Sequence, residues 1–265
     1  MRRYMLVVKA TLEFEAGTFP DEAFEAEAAK YLSEVEQAGA LVACDRLKPS
    51  SQGQRVHYKA GRFTVTDGPF AETKELVAGY CMIRAASLEA AVAWARRMPF
   101  RSGDVDVRPL FELSDFPVDP AEQPGGWREK EAEMQAAAPP ARKPGTTRYM
   151  GLLKADRSTE AGIMPDEKML AAMGAFIEEG TKAGVILSGE GLQPSSQSAR
   201  VSFSGTKRLV IDGPFAETKE LVAGYAILQF TTPAEALDWT KRFVQVDAPG
   251  RLNAECECEL RPIVD

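Results

Sequence analysis

Apolar and polar positions along this chain follow one of two periods, and the same succession of periods occurs twice. Residues 4–10 form a short apolar run of strand type. Over residues 20–38, Phe24, Ala28, Tyr31, Leu32 and Val35 recur at helical spacing. Pro20, Asp21 and Glu22 suit the positive end of a helix, and Gly39 suits its close. Residues 41–47 predict a strand running into the turn Pro49-Ser50-Ser51. Residues 55–59 and 62–66 alternate around Ala60-Gly61, which is a hairpin pattern. Residues 77–84 predict another strand, 87–98 a second helix capped by Ser87, and 105–113 a closing strand. The second half repeats the order, with Thr231-Thr232-Pro233 opening its second helix.

The recurrence is literal as well as periodic. Arg3-Tyr4-Met5 returns as Arg148-Tyr149-Met150, Pro49-Ser50-Ser51-Gln52 as Pro194-Ser195-Ser196-Gln197, and Trp94 as Trp239, each at an offset of 145. The fourteen residues DGPFAETKELVAGY at 67–80 return unchanged at 212–225, whereas residues 11–46 match 156–191 at only 10 of 36 positions. Packing tolerates exchange among similar apolar residues. A run containing Glu72, Thr73, Lys74 and Glu75 drifts faster unless function or gene conversion holds it. Residues 114–146 break the pattern with prolines and Gly125-Gly126, and predict a semi-extended linker with one short helix at 127–136. The predicted domains are therefore 1–113 and 147–265, joined by the linker 114–146.

Strand–helix–strand–hairpin–helix–strand is the ferredoxin-like order: α+β, with an antiparallel sheet carrying two helices on one face. The other face is left bare, and stacking the second copy's sheet on it covers both. The expected architecture is two ferredoxin-like domains forming an intramolecular dimeric α+β barrel, a pseudo-dimer within one chain.

Composition narrows the function classes. A net charge of -7 argues against direct binding of nucleic acid, which needs a basic patch. No apolar run approaches the twenty residues of a membrane span, and the run after Arg2-Arg3 stops at Lys9, too short for a signal peptide. Cys44, Cys81, Cys256 and Cys258 form neither a disulfide framework nor a zinc set, so a cytoplasmic protein without metal or cofactor is expected.

The nine residues Asp67-Gly68-Pro69-Phe70-Ala71-Glu72-Thr73-Lys74-Glu75, repeated from Asp212 to Glu220, resemble the signature of the YCII-related, or DGPF-motif, family. Arg3-Tyr4-Met5, Gly39 and Gly184, Val107-Arg108-Pro109 and Leu260-Arg261-Pro262 extend the resemblance to nearly all of the chain except the linker. The resemblance implies a ferredoxin-like fold assembled as a dimeric barrel, with this chain a covalent version of the pair. It also implies relatives that are lyase-like enzymes on small, often aromatic molecules, and relatives encoded beside alternative sigma factors. Those enzymes use a histidine near the start of the first helix. The matching positions here fall near Ala28 and Met173, neither of which moves a proton. The lyase mechanism does not carry over.

Candidate ligand-binding residues are Asp67, Glu72, Thr73, Lys74 and Glu75, their repeats Asp212, Glu217, Thr218, Lys219 and Glu220, and the turn hydroxyls Ser51 and Ser196. Lys74 and Lys219 suit an anionic ligand, and the carboxylates suit acid–base work. Turn chemistry accounts equally well for Asp-Gly-Pro-Phe. A serine nucleophile lacks a paired base, because the single histidine, His57, is replaced by Ser202 in the second copy. Lys9 and Lys154 end the first strands, where lysine is usually solvated. Arg55/Arg200 and Arg108/Arg261 read best as salt-bridge residues, and Tyr80/Tyr225 and Trp94/Trp239 as core aromatics. The favoured function is binding of an unknown small molecule in the cleft beside the two DGPFAETKE loops, with at most divergent lyase-like activity. The alternative is a non-catalytic regulatory or interaction protein with a transcription-related partner.

Overall fold

A computed structural model describes residues 1–18, 20–112, 115, 142–217 and 220–264, leaving aside the side chain of Glu167. Most of the predicted linker, with its helix at 127–136, lies outside the described residues, as do Thr218 and Lys219. The first copy runs β1 (Arg2–Lys9), α1 (Leu12–Glu15), α2 (Glu22–Gln37), β2 (Leu41–Arg46), β3 (Gln54–Lys59), β4 (Arg62–Asp67), β5 (Val77–Ala85), α3 (Leu88–Ala95) and β6 (Ser102–Pro109). The second runs β7 (Thr147–Lys154), α4 (Arg157–Glu160), α5 (Glu167–Lys182), β8 (Ile186–Gly191), β9 (Ala199–Ser204), β10 (Lys207–Asp212), β11 (Val222–Phe230), α6 (Pro233–Asp247) and β12 (Glu255–Pro262).

Local chemistry sets the helix starts. Asp21 and Asp166 accept from the backbone N–H groups of Phe24 and Met169, each at 2.8 Å, so each is a cap rather than a first-turn residue. Thr232 and Glu235 form a capping box ahead of α6, with Pro233 opening the helix.

The strands form two six-stranded antiparallel sheets, ordered β10-β9-β6-β1-β5-β2 and β4-β3-β12-β7-β11-β8. Each copy thus gives its central hairpin to the other copy's sheet. β3 pairs with β12, with Arg55 opposite Glu259, and β9 pairs with β6, with Arg200 opposite Asp106. The repeat pattern predicted the stacking of the sheets but not this exchange.

Alternation along β1 decides which face goes where. Tyr4 and Leu6 join Tyr31, Val35, Ala91 and Ala95 in the core beneath α2 and α3, whereas Met5 and Val7 turn to the other sheet. Between the sheets they meet Met150, Leu152, Tyr225 and Ile227 of the second copy. Tyr80 and Tyr225 face each other there, with ring centroids 6.2 Å apart. The fold is therefore α+β, two ferredoxin-like units packed through their sheets. Among the described residues no helix is long and apolar enough to cross a membrane.

Candidate functional site

Each DGPF loop begins where an edge strand ends. Asp67 closes β4 and its Oδ1 accepts from Gln54 Nε2 at 2.7 Å. The Gly68 N–H donates to Gly53 O at 3.0 Å, and the Gly68–Pro69 peptide is cis. A Cβ on Gly68 would fall 1.8 Å from Ser50 O, so only glycine lets these two backbones approach. The Phe70 N–H donates to Ser50 Oγ at 3.1 Å, and Ser50 in turn donates through both N–H and hydroxyl to the Glu15 carboxylate. The second loop copies the glycine and serine contacts, with Gly213 on Ser195 O, Phe215 N–H on Ser195 Oγ at 3.1 Å, and Ser195 on Glu160, while Ala199 stands where the first copy has Gln54. The serines that make these contacts are Ser50 and Ser195, while Ser51 and Ser196 are exposed.

The rest of the motif divides. Glu72, Lys74, Asp212 and Glu217 are exposed, Thr73 is half-buried, and Thr218 and Lys219 lie outside the described residues. Glu75 turns inward. Its carboxylate accepts from Arg55 at 3.1 Å, and Arg55 lies 4.2 Å over the Phe70 ring. Glu220 stands 3.5 Å from Arg200, which lies 4.5 Å over Phe215.

These residues belong to two buried charge clusters, each built from both copies. In one, Arg55 and Glu75 of the first copy meet Lys154, Glu259 and Arg261 of the second. Arg55 Nε donates to Glu259 Oε2 at 2.9 Å, Arg261 Nη1 to Glu259 Oε1 at 2.8 Å, and Lys154 Nζ to Glu75 O at 2.8 Å. In the other, Arg200 grips Asp106 through Nε at 2.5 Å and Nη2 at 3.0 Å. Lys9 Nζ donates to Glu220 O at 2.5 Å, and Arg108 Nη2 to Gln193 O at 2.7 Å. Arg108 and Arg261 are fully buried, as salt-bridge residues between the sheets.

Lys9 is buried too, against the usual solvation of a strand-end lysine. Burial lowers its pKa to about 8, and nearby Lys154 and Arg200 add to the effect against the pull of Asp106 and Glu220. Burial alone would raise the Glu259 carboxyl, but Lys154, Arg261 and Arg55 outweigh it and hold the group below the ordinary carboxylate range. His57 Nε2 lies 2.7 Å from Glu255 Oε1, and its counterpart Ser202 donates to Asp104 at 2.6 Å. Among the described residues no group of three His, Cys, Asp or Glu side chains is placed to hold a metal ion.

Sequence reasoning passed over Glu15 and Glu160. The signal was present: Glu-Ala-Gly is kept at 15–17 and 160–162 inside a stretch that otherwise diverges.

A cavity of about 370 Å³ opens elsewhere, on the helix-facing side of the second sheet. Its floor is β7, β8, β11 and β12 at Gly151, Gly189, Ala226 and Cys258, and its roof is α5 and α6 at Met173, Phe176, Trp239 and Phe243. The lining is mostly apolar. Polar lining comes from Thr159, Glu190, Tyr225, Thr240, Asp247 and Arg251, where Arg251 Nε donates to Asp247 Oδ2 at 2.5 Å.

Comparison with known proteins agrees with this geometry. The model of the YCII-related domain matches the chain twice, over residues 3–114 and 147–251. An uncharacterized protein of Rhizobium meliloti is 40% identical over 77 residues, which are 28% of this chain and 62% of that protein. The chain thus spans under two thirds of that relative's length. Two domain matches, in a chain whose halves complete each other's sheets, carry the assignment: the protein belongs to the YCII-related family, as a tandem of two of its domains.

Proposed function

We propose that this chain is a small-molecule-binding protein whose ligand occupies the cavity between α5, α6 and the second sheet. The observation that carries the reading is the cavity itself. At about 370 Å³ it falls in the range of sites that enclose a small organic molecule, and it is mostly apolar with a few polar groups in its lining. The motif loops then serve as interlocks. Their glycine and phenylalanine lock onto Ser50 and Ser195 of the same copy, and the Glu75 and Glu220 carbonyls accept from Lys154 and Lys9 of the other, while the ligand sits on the helix-facing side of the second sheet. Binding is favoured over lyase-like turnover because His57 is taken up by Glu255 and has only a serine as its counterpart.

The test is a titration with N-phenyl-1-naphthylamine, a neutral apolar fluorophore. Saturable, one-site enhancement at micromolar concentration is expected, with loss of at least tenfold in affinity in Gly151→Leu. Absence of saturable binding, or equal binding by the variant, overturns the reading.

The second reading, an interaction protein with a transcription-related partner, draws on the outer strands. β4 and β10 are sheet edges, and Phe63, Val65, Leu209 and Ile211 along them are exposed, Leu209 at 62%. Such edges accept an added strand. Charging them with Val65→Lys and Leu209→Lys abolishes partner capture under this reading and leaves probe binding intact.

A further inference from the structure

The two copies share a fold, and they differ most usefully where the cavity lies. In the first copy the sheet beneath the helices carries Leu6 and Cys81, both fully buried in the core, with an exposed Cys44 opposite Cys81 on the edge strand β2. At the offset of 145 the second copy has Gly151, Ala226 and Gly189, and all three line the cavity. The floor has been lowered. Above it, Ala28 of the first copy corresponds to Met173, so the roof has gained apolar length rather than sinking to fill the space.

A second departure meets the same cavity. The closing strands Val107-Arg108-Pro109 and Leu260-Arg261-Pro262 are offset by 153, so the second copy has eight extra residues ahead of its last strand. They lengthen the final helix from the 8 residues of α3 to the 15 of α6 and supply the turn after it. That added segment brings Asp247 and Arg251 to the cavity wall. The Arg251 side chain is 6% exposed, and its Nη1 is buried without a hydrogen-bond partner, 4.0 Å from Asp156 Oδ1. A buried guanidinium N–H left open costs stability, and a ligand acceptor removes that cost.

Resting on the binding reading above, we infer that the second copy is the receptive half and that its ligand is a neutral, ring-bearing molecule presenting one hydrogen-bond acceptor to Arg251. The rings follow from the walls, where Phe111, Phe176, Trp239 and Phe243 stand with Met169 and Met173, a lining that suits flat apolar groups. Neutrality follows from charge. Arg251 is already matched by Asp247, and Asp156 adds a second carboxylate nearby, so an anionic head group meets more negative than positive charge. An ammonium group meets the guanidinium instead. A carbonyl or similar acceptor satisfies the open N–H at no such cost.

Three probes with one ring system separate these terms: 1-acetylnaphthalene, 1-ethylnaphthalene and 1-naphthoate, each titrated into the full chain by calorimetry. The acetyl compound is expected to bind at least tenfold tighter than either of the others, and all binding is expected to fall in Gly151→Leu. That substitution restores the first copy's residue at a site where a Cβ has 3.5 Å to its nearest neighbour, Cys258 Sγ, so the backbone accepts it. If N-phenyl-1-naphthylamine binds and is lost in Gly151→Leu, but the ethyl compound or the naphthoate matches the acetyl compound, the ligand class is wrong and the cavity reading stands. If no probe binds, N-phenyl-1-naphthylamine included, both fail together.

Discussion

At the scale of single residues, the repeated motif contains two kinds of position with different physical duties. Gly68, Phe70 and Glu75 are fixed by backbone approach, a hydrogen bond to Ser50 and an ion pair with Arg55, so their identity is explained by packing within the first copy. Lys74 is exposed and its neighbour Glu75 is not. Glu75→Gln is therefore expected to cost about 1–3 kcal/mol, because Arg55 is left buried beside a weaker acceptor. Lys74→Ala is expected to stay within about 0.5 kcal/mol. Chemical denaturation of the two variants measures the contrast, and equal effects would remove the division. Lys9 adds a pH signature. Its pKa is about 8 in the fold against an ordinary 10.5, so the folded chain releases this proton first as pH rises. Its contribution to stability is then least favourable below about 8 and improves toward 10.5. Wild type minus Lys9→Met, compared by melting temperature, is expected to rise between about pH 7.5 and about pH 10. A flat difference would mean the amine is not titrating from its buried position among Asp106, Lys154, Arg200 and Glu220.

At the scale of elements, the exchanged hairpins explain why cations recur at 55 and 200. Arg55 faces Glu259 across β3–β12, and Arg200 faces Asp106 across β9–β6, so each exchanged strand meets its opposite charge on the strand it joins. Cross-strand pairs are the unit that selects register and partner in a sheet. In a double-mutant cycle, Arg55→Ala and Glu259→Ala are expected to show a coupling of at least about 1 kcal/mol, since Glu259 is fully buried and hydrogen-bonded to a half-buried Arg55. Additive losses would assign the pairing of β3 with β12 to backbone bonds and apolar contacts alone.

At the scale of the whole molecule, each copy completes the other's sheet and covers its apolar face. Residues 1–113 and 147–265, co-expressed as separate chains, are therefore expected to elute together as one species in size-exclusion chromatography and to remain paired at micromolar concentration. Separate soluble halves would contradict the exchange. Most elements of each copy were legible in the sequence, because strand and helix periods are local and the offset of 145 doubles every signal. Which strand joins which sheet was not legible, since β3 reads the same whether it pairs with its own copy's closing strand or the other's. The candidate loop was legible as a motif, but its inner and outer positions were not, because exposure is a property of packing. The cavity was hidden for a similar reason: Gly151, Gly189 and Ala226 are unremarkable in sequence and become a floor only when one sheet face lies beneath α5 and α6. By itself the sequence determined the duplication, the α+β order and the need for two sheet faces to meet, all consequences of residue spacing and apolar pattern. The tertiary structure alone decided the reciprocal hairpins, the buried charge clusters and the cavity under α5 and α6, because each depends on side chains far apart in the chain meeting where water is excluded.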